Sequence, residues 1–509
     1  MIFNKLAQFR SVLLLFCIFL LLSCEDDKNT ITFTFLQLND VYEIAALEGG
    51  EVGGLDRVQT LHQQLLIENP NTFMFMAGDF LNPSLLGNIK YQGERIKGKQ
   101  MIEVMNAMKF DLVAFGNHEF DLSEDLLKER INSSDFKWIA TNVKHKFNDR
   151  LEPFVKINNK VSTQIPGTVI IDLENEWGNQ IKIGFFSATI PSNPKPYVDY
   201  SDFYEDAKNA YNLLEPKTDI VFGLTHLMIS QDKMLANMLP DVPLIMGGHE
   251  HSNMLIPVGN VAISKADANA KTVYVHRFEY NLKTKELQRK SELINITSKI
   301  KSDIEVSKII AKWQTILDNK IAEYSPNAYD VIFHAKIPLN GEDSAVRSVQ
   351  TNLGDLITKA MAYAYNNNVD GALVNGGSMR IDDMLSGNIT GVDIFRVLPF
   401  GGEVLKVKIK GELLKKVLNY GRIKSGTGAY LQRFNFEYDK SLKQWSSSGN
   451  PIQDDKLYTV AFSDYLLKGY DIPFLNPENA GVIDIFYPKE DELAYDIRRV
   501  IIAYLKSNS

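Results

Sequence analysis

Cysteine is nearly missing from this chain. There are two in 509 residues, Cys17 and Cys24, both within the first 24 positions, so no disulfide framework holds the body of the protein together. No run of Lys or Arg is long enough to make a polybasic membrane patch, and a formal net charge of -8 argues against a surface that coats nucleic acid. Any handling of phosphate must be local. Long apolar runs are missing too: Val12 to Leu22, behind Lys5 and Arg10, is too short for a comfortable membrane span and reads as a targeting segment. What is present is the composition of a soluble globular protein, with 45% hydrophobic, 23% charged and 10% aromatic residues. The length exceeds what one hydrophobic core serves and predicts about two or three domains of mixed α/β type.

The apolar run ends Leu21-Leu22-Ser23-Cys24, which resembles the lipobox of bacterial lipoproteins, where the cysteine becomes the acylated first residue. On that resemblance residues 1–23 are a signal peptide, Cys24 is the lipidation site and residues 24–30 are a tether opening Glu25-Asp26-Asp27. The protein is then expected to be exported and lipid-anchored to a bacterial membrane, at its periplasmic face or the cell surface. The other reading is an uncleaved signal anchor with a buried cysteine.

Five times in the first half a short apolar strand runs straight into a polar tip. Ile31 to Leu38 leads into Asn39-Asp40, Phe73 to Met76 into Gly78-Asp79, and Leu112 to Phe115 into Gly116-Asn117-His118. Ile220 to Leu224 leads into Thr225-His226, and Leu244 to Met246 into Gly248-His249-Glu250-His251. Strand ends of this kind converge on one edge of a layered α/β sheet, where ligands bind. Taken singly, each tip could be an ordinary turn, because Gly, Asn and Asp favour turns. Together they gather four of the chain's eight histidines with Asp and Asn. Oxygen and imidazole donors without thiolate suit Mn, Zn or similar divalent ions, and a pair of such ions serves phosphoryl transfer.

These motifs, Asn39-Asp40, Gly78-Asp79, Gly116-Asn117-His118-Glu119-Phe120-Asp121, Thr225-His226 and Gly248-His249-Glu250-His251, resemble those of the calcineurin-type metallophosphatases, in the same order. The resemblance implies that Asp40 and His251 hold a first metal, that Asp79 bridges, and that Asn117, His226 and His249 hold the second. It implies that His118 is the catalytic histidine, oriented by Asp121. One position departs: the family's Asn-Asp-x-His reads Asn39-Asp40-Val41-Tyr42 here, so Tyr42 as phenolate, Glu43 or water completes the first metal's shell.

Near residue 300, Ser302 and Glu305 form a candidate capping box. Val306, Ile309, Ile310, Trp313, Ile316, Leu317 and Ile321 then recur at helical spacing. The second half carries Gln350-Thr351-Asn352-Leu353-Gly354, Asn375-Gly376-Gly377-Ser378-Met379-Arg380 and Leu398-Pro399-Phe400-Gly401, which resemble the C-terminal domain of the 5'-nucleotidase family. The expected organisation is a layered metallophosphatase β-sandwich flanked by helices at 31–300, a linker helix at 301–325 acting as hinge, and an α+β substrate-binding domain at 326–509. By the same resemblance Arg347 and Arg380 grip phosphate, Phe400 and Tyr465 sandwich a nucleobase, and Asp471 meets ribose hydroxyls. A third family arginine is replaced by Asp343, and the loop around Asp471 departs from the family pattern. The implied activity is two-metal hydrolysis of 5'-nucleotides to nucleoside and phosphate. The alternatives are UDP-sugar, cyclic-nucleotide or other ester hydrolysis on the same frame, and a non-catalytic surface lipoprotein that binds nucleotides.

Overall fold

The computed structural model describes residues 28–148, 150–192, 195–322 and 327–508. The expected signal peptide and Cys24 lie outside them. Among the described residues no helix is long and apolar enough to cross a membrane. The chain divides into two compact units. Among the described residues, one comprises 28–46, Val52–Asn82 and Gly98–Ala311; the other comprises Leu47–Glu51, Pro83–Lys97 and the described residues from Lys312 on.

The first unit is a sandwich of two six-stranded sheets. One contains β1 (Thr30–Leu38), β2 (Thr72–Ala77), β3 (Leu112–Ala114), β4 (Lys137–Ile139), β11 (Thr272–Asn281) and β12 (Leu287–Asn295), in the order β12-β11-β1-β2-β3-β4. The other contains β5 (Thr168–Glu174), β6 (Gln180–Thr189), β7 (Ile220–His226), β8 (Leu244–Gly247), β9 (Met254–Val258) and β10 (Val261–Lys265), in the order β5-β6-β7-β8-β10-β9. Alternation along β1 sends Phe33 and Phe35 into the space between the sheets. There Phe35 meets Phe222 at 5.0 Å and Phe185 at 5.8 Å between ring centroids, and Phe75 meets Phe185 at 5.1 Å. Each such ring, fully buried, contributes about 1.5–3 kcal/mol. Phe203, Ala207 and Leu214 of α1 (Phe203–Leu214) and Leu235 of α2 (Ile229–Met238) cover the outer face of the second sheet.

Pairing explains where the polar tips go. β1, β2 and β3 run parallel, with Leu38 beside Met76 and Ala77 beside Ala114. β6, β7 and β8 run parallel in the other sheet, with Thr189 beside His226 and Thr225 beside Gly247. Gln37, fully buried near the end of β1, clips the two sheets together by donating to the carbonyls of Gly247 (3.1 Å) and Ser264 (2.9 Å).

The helix α3 (Ile304–Ala322) buries Val306, Ile310, Trp313, Leu317 and Ile321, as their spacing predicts. Its start differs from expectation: the Asp303 carboxylate, not Ser302, accepts from the Val306 amide at 2.9 Å. Asp is as good a cap as Ser, and here its own amide is tied to the carbonyl of Asp56, which fixes the register.

The second unit is built on a five-stranded sheet of β13 (Gly371–Asn375), β14 (Val404–Lys410), β15 (Leu431–Phe434), β16 (Leu457–Ser463) and β17 (Val482–Phe486), in the order β15-β13-β16-β14-β17. Leu413, Leu414, Val417 and Leu418 of α5 (Gly411–Ile423) belong to its core. α4 (Asn352–Tyr363) opens where Thr351 accepts from the Gly354 amide, so Gln350-Thr351-Asn352-Leu353-Gly354 begins a helix as read. β13 and β16 run parallel, which sets Asn375 and the turn carrying Tyr465 at one sheet edge.

Candidate active site

In the first unit the strand tips converge. Asp40, Asp79 and His226 offer ligand atoms within 4.8 Å of one another, all three buried. His226 Nε2 lies 3.1 Å from Asp79 Oδ2 and 3.8 Å from Asp40 Oδ1, and His251 Nε2 lies 3.2 Å from Asp40 Oδ1. The backbone bends to allow this: Asp40, Asp79, His249 and His251 all have positive φ (53°, 58°, 93° and 57°), strain that only a tightly determined site retains. Two glycines are required by closeness. A Cβ on Gly116 would sit 2.2 Å from Asp79 Oδ1, and one on Gly248 would sit 2.6 Å from the Ala77 carbonyl.

Hydrogen bonds aim the ligand atoms. His226 Nδ1–H donates to the Ala77 carbonyl at 2.7 Å, which turns Nε2 toward the two aspartates. Asp79 Oδ1 accepts from the His118 amide at 2.7 Å, and Asp40 Oδ2 accepts from Asn39 Nδ2 and the His249 amide, both at 2.8 Å. His118 Nδ1–H donates to Asp121 Oδ2 at 2.8 Å, and Asn82 steadies the same oxygen at 2.8 Å. Tyr42 reaches the cluster: its hydroxyl is 2.9 Å from His251 Nε2, 3.4 Å from Asp40 and 3.5 Å from Asp79.

Burial disfavours a charged His226, but the carboxylates of Asp79 and Asp40 outweigh it and push the imidazole up to about 9. His249 goes the other way. Burial, helped by the nearby His226 charge, pushes it down to about 4, so it is neutral and ready to coordinate. Asn117 Oδ1 is a buried acceptor that makes no hydrogen bond, and His226 Nε2 faces the carboxylates of Asp79 and Asp40. Orphaned acceptors are costly in a protein interior, and a cation between carboxylates relieves that cost. The residues therefore fit the divalent ions that this fold implies.

Glu119 escaped sequence reading. It is fully buried, and its two oxygens collect the amides of Asp79, Gly116, Phe80 and Leu81 at 2.7–3.1 Å, fastening two ligand loops together. Burial and then the Asp79 charge push its carboxyl up to about 7.

In the second unit all five expected substrate-binding residues, Arg347, Arg380, Phe400, Tyr465 and Asp471, line one cavity of about 500 Å³. Asn375 Nδ2 donates to Asp471 at 2.7 Å, and Tyr465 also hydrogen-bonds that carboxylate. Burial outweighs these contacts and raises the Asp471 carboxyl above its usual range. Asp343, standing where a third arginine is expected, pairs with Arg347 at 2.7 Å, while Arg347 Nε is buried without a hydrogen-bond partner. Three contributors were given no role from the sequence. Asn375 holds Asp471, the exposed Tyr470 ring lies 5.9 Å from Tyr465, and the Arg95 guanidinium lies 5.9 Å from the Phe400 ring centroid.

Residues 33–253 match the calcineurin-like phosphoesterase family, and residues 331–475 match the 5'-nucleotidase C-terminal domain. The chain belongs to the 5'-nucleotidase family. A 5'-nucleotidase of Rattus norvegicus is 26% identical over 478 residues, spanning 82% of this chain and 78% of that protein. Among solved structures, a 5'-nucleotidase precursor from Thermus thermophilus superimposes with a TM-score of 0.65 at 23% identity, covering 94% of this chain and 97% of that one. A sulfate thiohydrolase from Thermus thermophilus has a TM-score of 0.60 at 13% identity, covering 93% and 94%. The member described here is thus a metal-dependent phosphoesterase of mixed α/β fold, with two divalent ions as its cofactors.

Proposed function

We propose that this family member hydrolyses 5'-nucleotides to nucleoside and phosphate. The observation that carries this reading is the cluster of buried ligand atoms of Asp40, Asp79 and His226, together with Asn117 Oδ1, a buried acceptor that makes no hydrogen bond. Asp40 and His251 would hold one ion, Asn117, His226 and His249 the other, and Asp79 both. Bound there, the ions lower the pKa of water toward neutrality and stabilise charge on phosphoryl oxygens.

The chain's own groups supply the remainder. With Nδ1 committed to Asp121, His118 Nε2 is the atom that would give a proton to the leaving ester oxygen. Arg347 and Arg380 bind phosphate through their fixed fork of donors, and the Asp343 carboxylate moderates the charge that Arg347 presents. Phe400 and Tyr465 sandwich the base, and Asp471, held by Asn375, accepts from the ribose hydroxyls.

A phosphate-release screen over 5'-nucleotides, UDP-sugars and cyclic nucleotides tests the reading. Preference for 5'-nucleotides supports it; faster release from another class replaces the substrate assignment. Nucleotide binding without turnover in metal-loaded protein makes this a non-catalytic binding protein, a reading favoured only by Tyr42 and Asp343. The same proposal places the enzyme outside the cytoplasm, anchored through acylated Cys24, on the support of Leu21-Leu22-Ser23-Cys24. Labelling with radioactive palmitate, lost in Cys24→Ser, checks the anchor.

A further inference from the structure

A lysine is fully buried behind the histidine ligands. Lys265 ends β10 with 0% exposure, and its ammonium has four partners. It donates to the carbonyl of Leu227 at 2.5 Å, to the carbonyl of Gly248 at 2.7 Å and to Glu250, and it lies 2.8 Å from Asp232 Oδ2, itself fully buried on α2. Leu227 directly follows His226, and Gly248 directly precedes His249. The two tips that carry three imidazoles are therefore tied to a single ammonium group.

The surroundings are built around it. Asp232 Oδ1 accepts from Thr225 Oγ1 at 2.7 Å, one residue before His226. Glu250, between His249 and His251, accepts from the Ile229 amide at the start of α2 as well as from Lys265. A Cβ on Gly247 would meet Lys265 Cε at 2.9 Å and Asp232 Oδ2 at 3.2 Å, so a glycine is needed for the lysine stem to pass. Burying an ion network of this kind brings little net stability over apolar packing, so its retention calls for another role.

We propose that Lys265, with Asp232 and Glu250, is a positioning group that sets the spacing of His226, His249 and His251 and thereby the affinity for metal. Its carbonyl bonds fix the backbone on both sides, and the two carboxylates hold the ammonium in place. The inference rests on the reading of these histidines as ligands.

The test is manganese binding to chelator-stripped full-length protein, followed by calorimetry, alongside the melting temperature without metal. Wild type is expected to bind manganese, and Lys265→Met to bind it about 10- to 100-fold more weakly, the loss typical when outer partners of metal ligands are removed. Added manganese in excess should restore turnover. Should Lys265→Met fail to fold, Glu250→Gln, which keeps the shape and removes a charge at the less buried end, must still weaken binding. A variant that melts lower yet binds manganese like wild type overturns the proposal and leaves Lys265 a structural residue. Wild type that binds no manganese overturns instead the ligand assignment beneath it.

Discussion

The Tyr42 hydroxyl stands 2.9 Å from His251 Nε2, on the side of the cluster where the family's motif has a histidine. A neutral phenol is a weaker metal donor than imidazole, but an oxygen beside His251 and Asp40 would still be within reach of a first ion held by them. Tyr42→Phe should lower affinity at one of the two sites by about tenfold and spare the other, whereas Tyr42→His should keep both. Elemental analysis after graded dialysis reads this out. Two sites of unchanged affinity in Tyr42→Phe would show that the hydroxyl does not ligate.

His118 is expected to separate chemistry from metal binding, because its Nδ1 is committed to Asp121 and its backbone amide donates to Asp79. His118→Ala should reduce turnover on the order of a hundredfold or more with metal content intact. Loss of metal along with activity would make His118 a ligand.

His226 gives the metal affinity a pH dependence. Its imidazole, raised to about 9 between Asp79 and Asp40, carries a proton on Nε2 below that pH, and a divalent ion must displace it. Affinity should therefore rise with pH, about tenfold per unit for one proton exchanged, and level off near pH 9 on this residue's account. Without metal the sign for stability is opposite. A pKa raised above the reference value of about 6.5 stabilises the fold below that pH, and this contribution disappears as pH rises through about 9. Calorimetric metal titrations at three pH values decide it; an affinity independent of pH between 6 and 8 would contradict the assignment of Nε2 as ligand.

The ring pair tests substrate class. Phe400 and Tyr465 line the same cavity as Arg380, but a simple alkyl phosphate offers no ring to stack there. Phe400→Ala and Tyr465→Ala should weaken 5'-AMP turnover several-fold to about a hundredfold, since stacking contributes about 1 to 3 kcal/mol per base. The alkyl phosphate should change far less, while Arg380→Ala should damage both. Ring variants that match wild type on 5'-AMP would reduce the pair to packing.

Legibility in the sequence followed locality. Asp40, Asp79, Asn117, His226, His249 and His251 were readable because each sits on the tip of a short apolar strand, and parallel pairing then brings adjacent tips together. Glu119 was quoted within its motif, yet its task of gathering three amides of the Asp79 loop depends on contacts some 40 residues apart. Lys265 reaches Leu227 over a similar distance in sequence, and at the end of a strand it reads as an ordinary surface charge. The placement of Asp303 rather than Ser302 at the start of α3 turned on a bond from its amide to Asp56, nearly 250 residues earlier, that no local pattern contains.

The central claim is that Asn117 Oδ1 and His226 Nε2, together with Asp40, Asp79, His249 and His251, hold two divalent ions that 5'-nucleotide hydrolysis requires. Phosphate release from 5'-AMP, followed while manganese is returned to chelator-stripped protein of known metal content, tests this most directly. The account predicts no release from stripped protein and full recovery at two ions per chain. Release that persists without metal, or that is complete at one ion per chain, would contradict it.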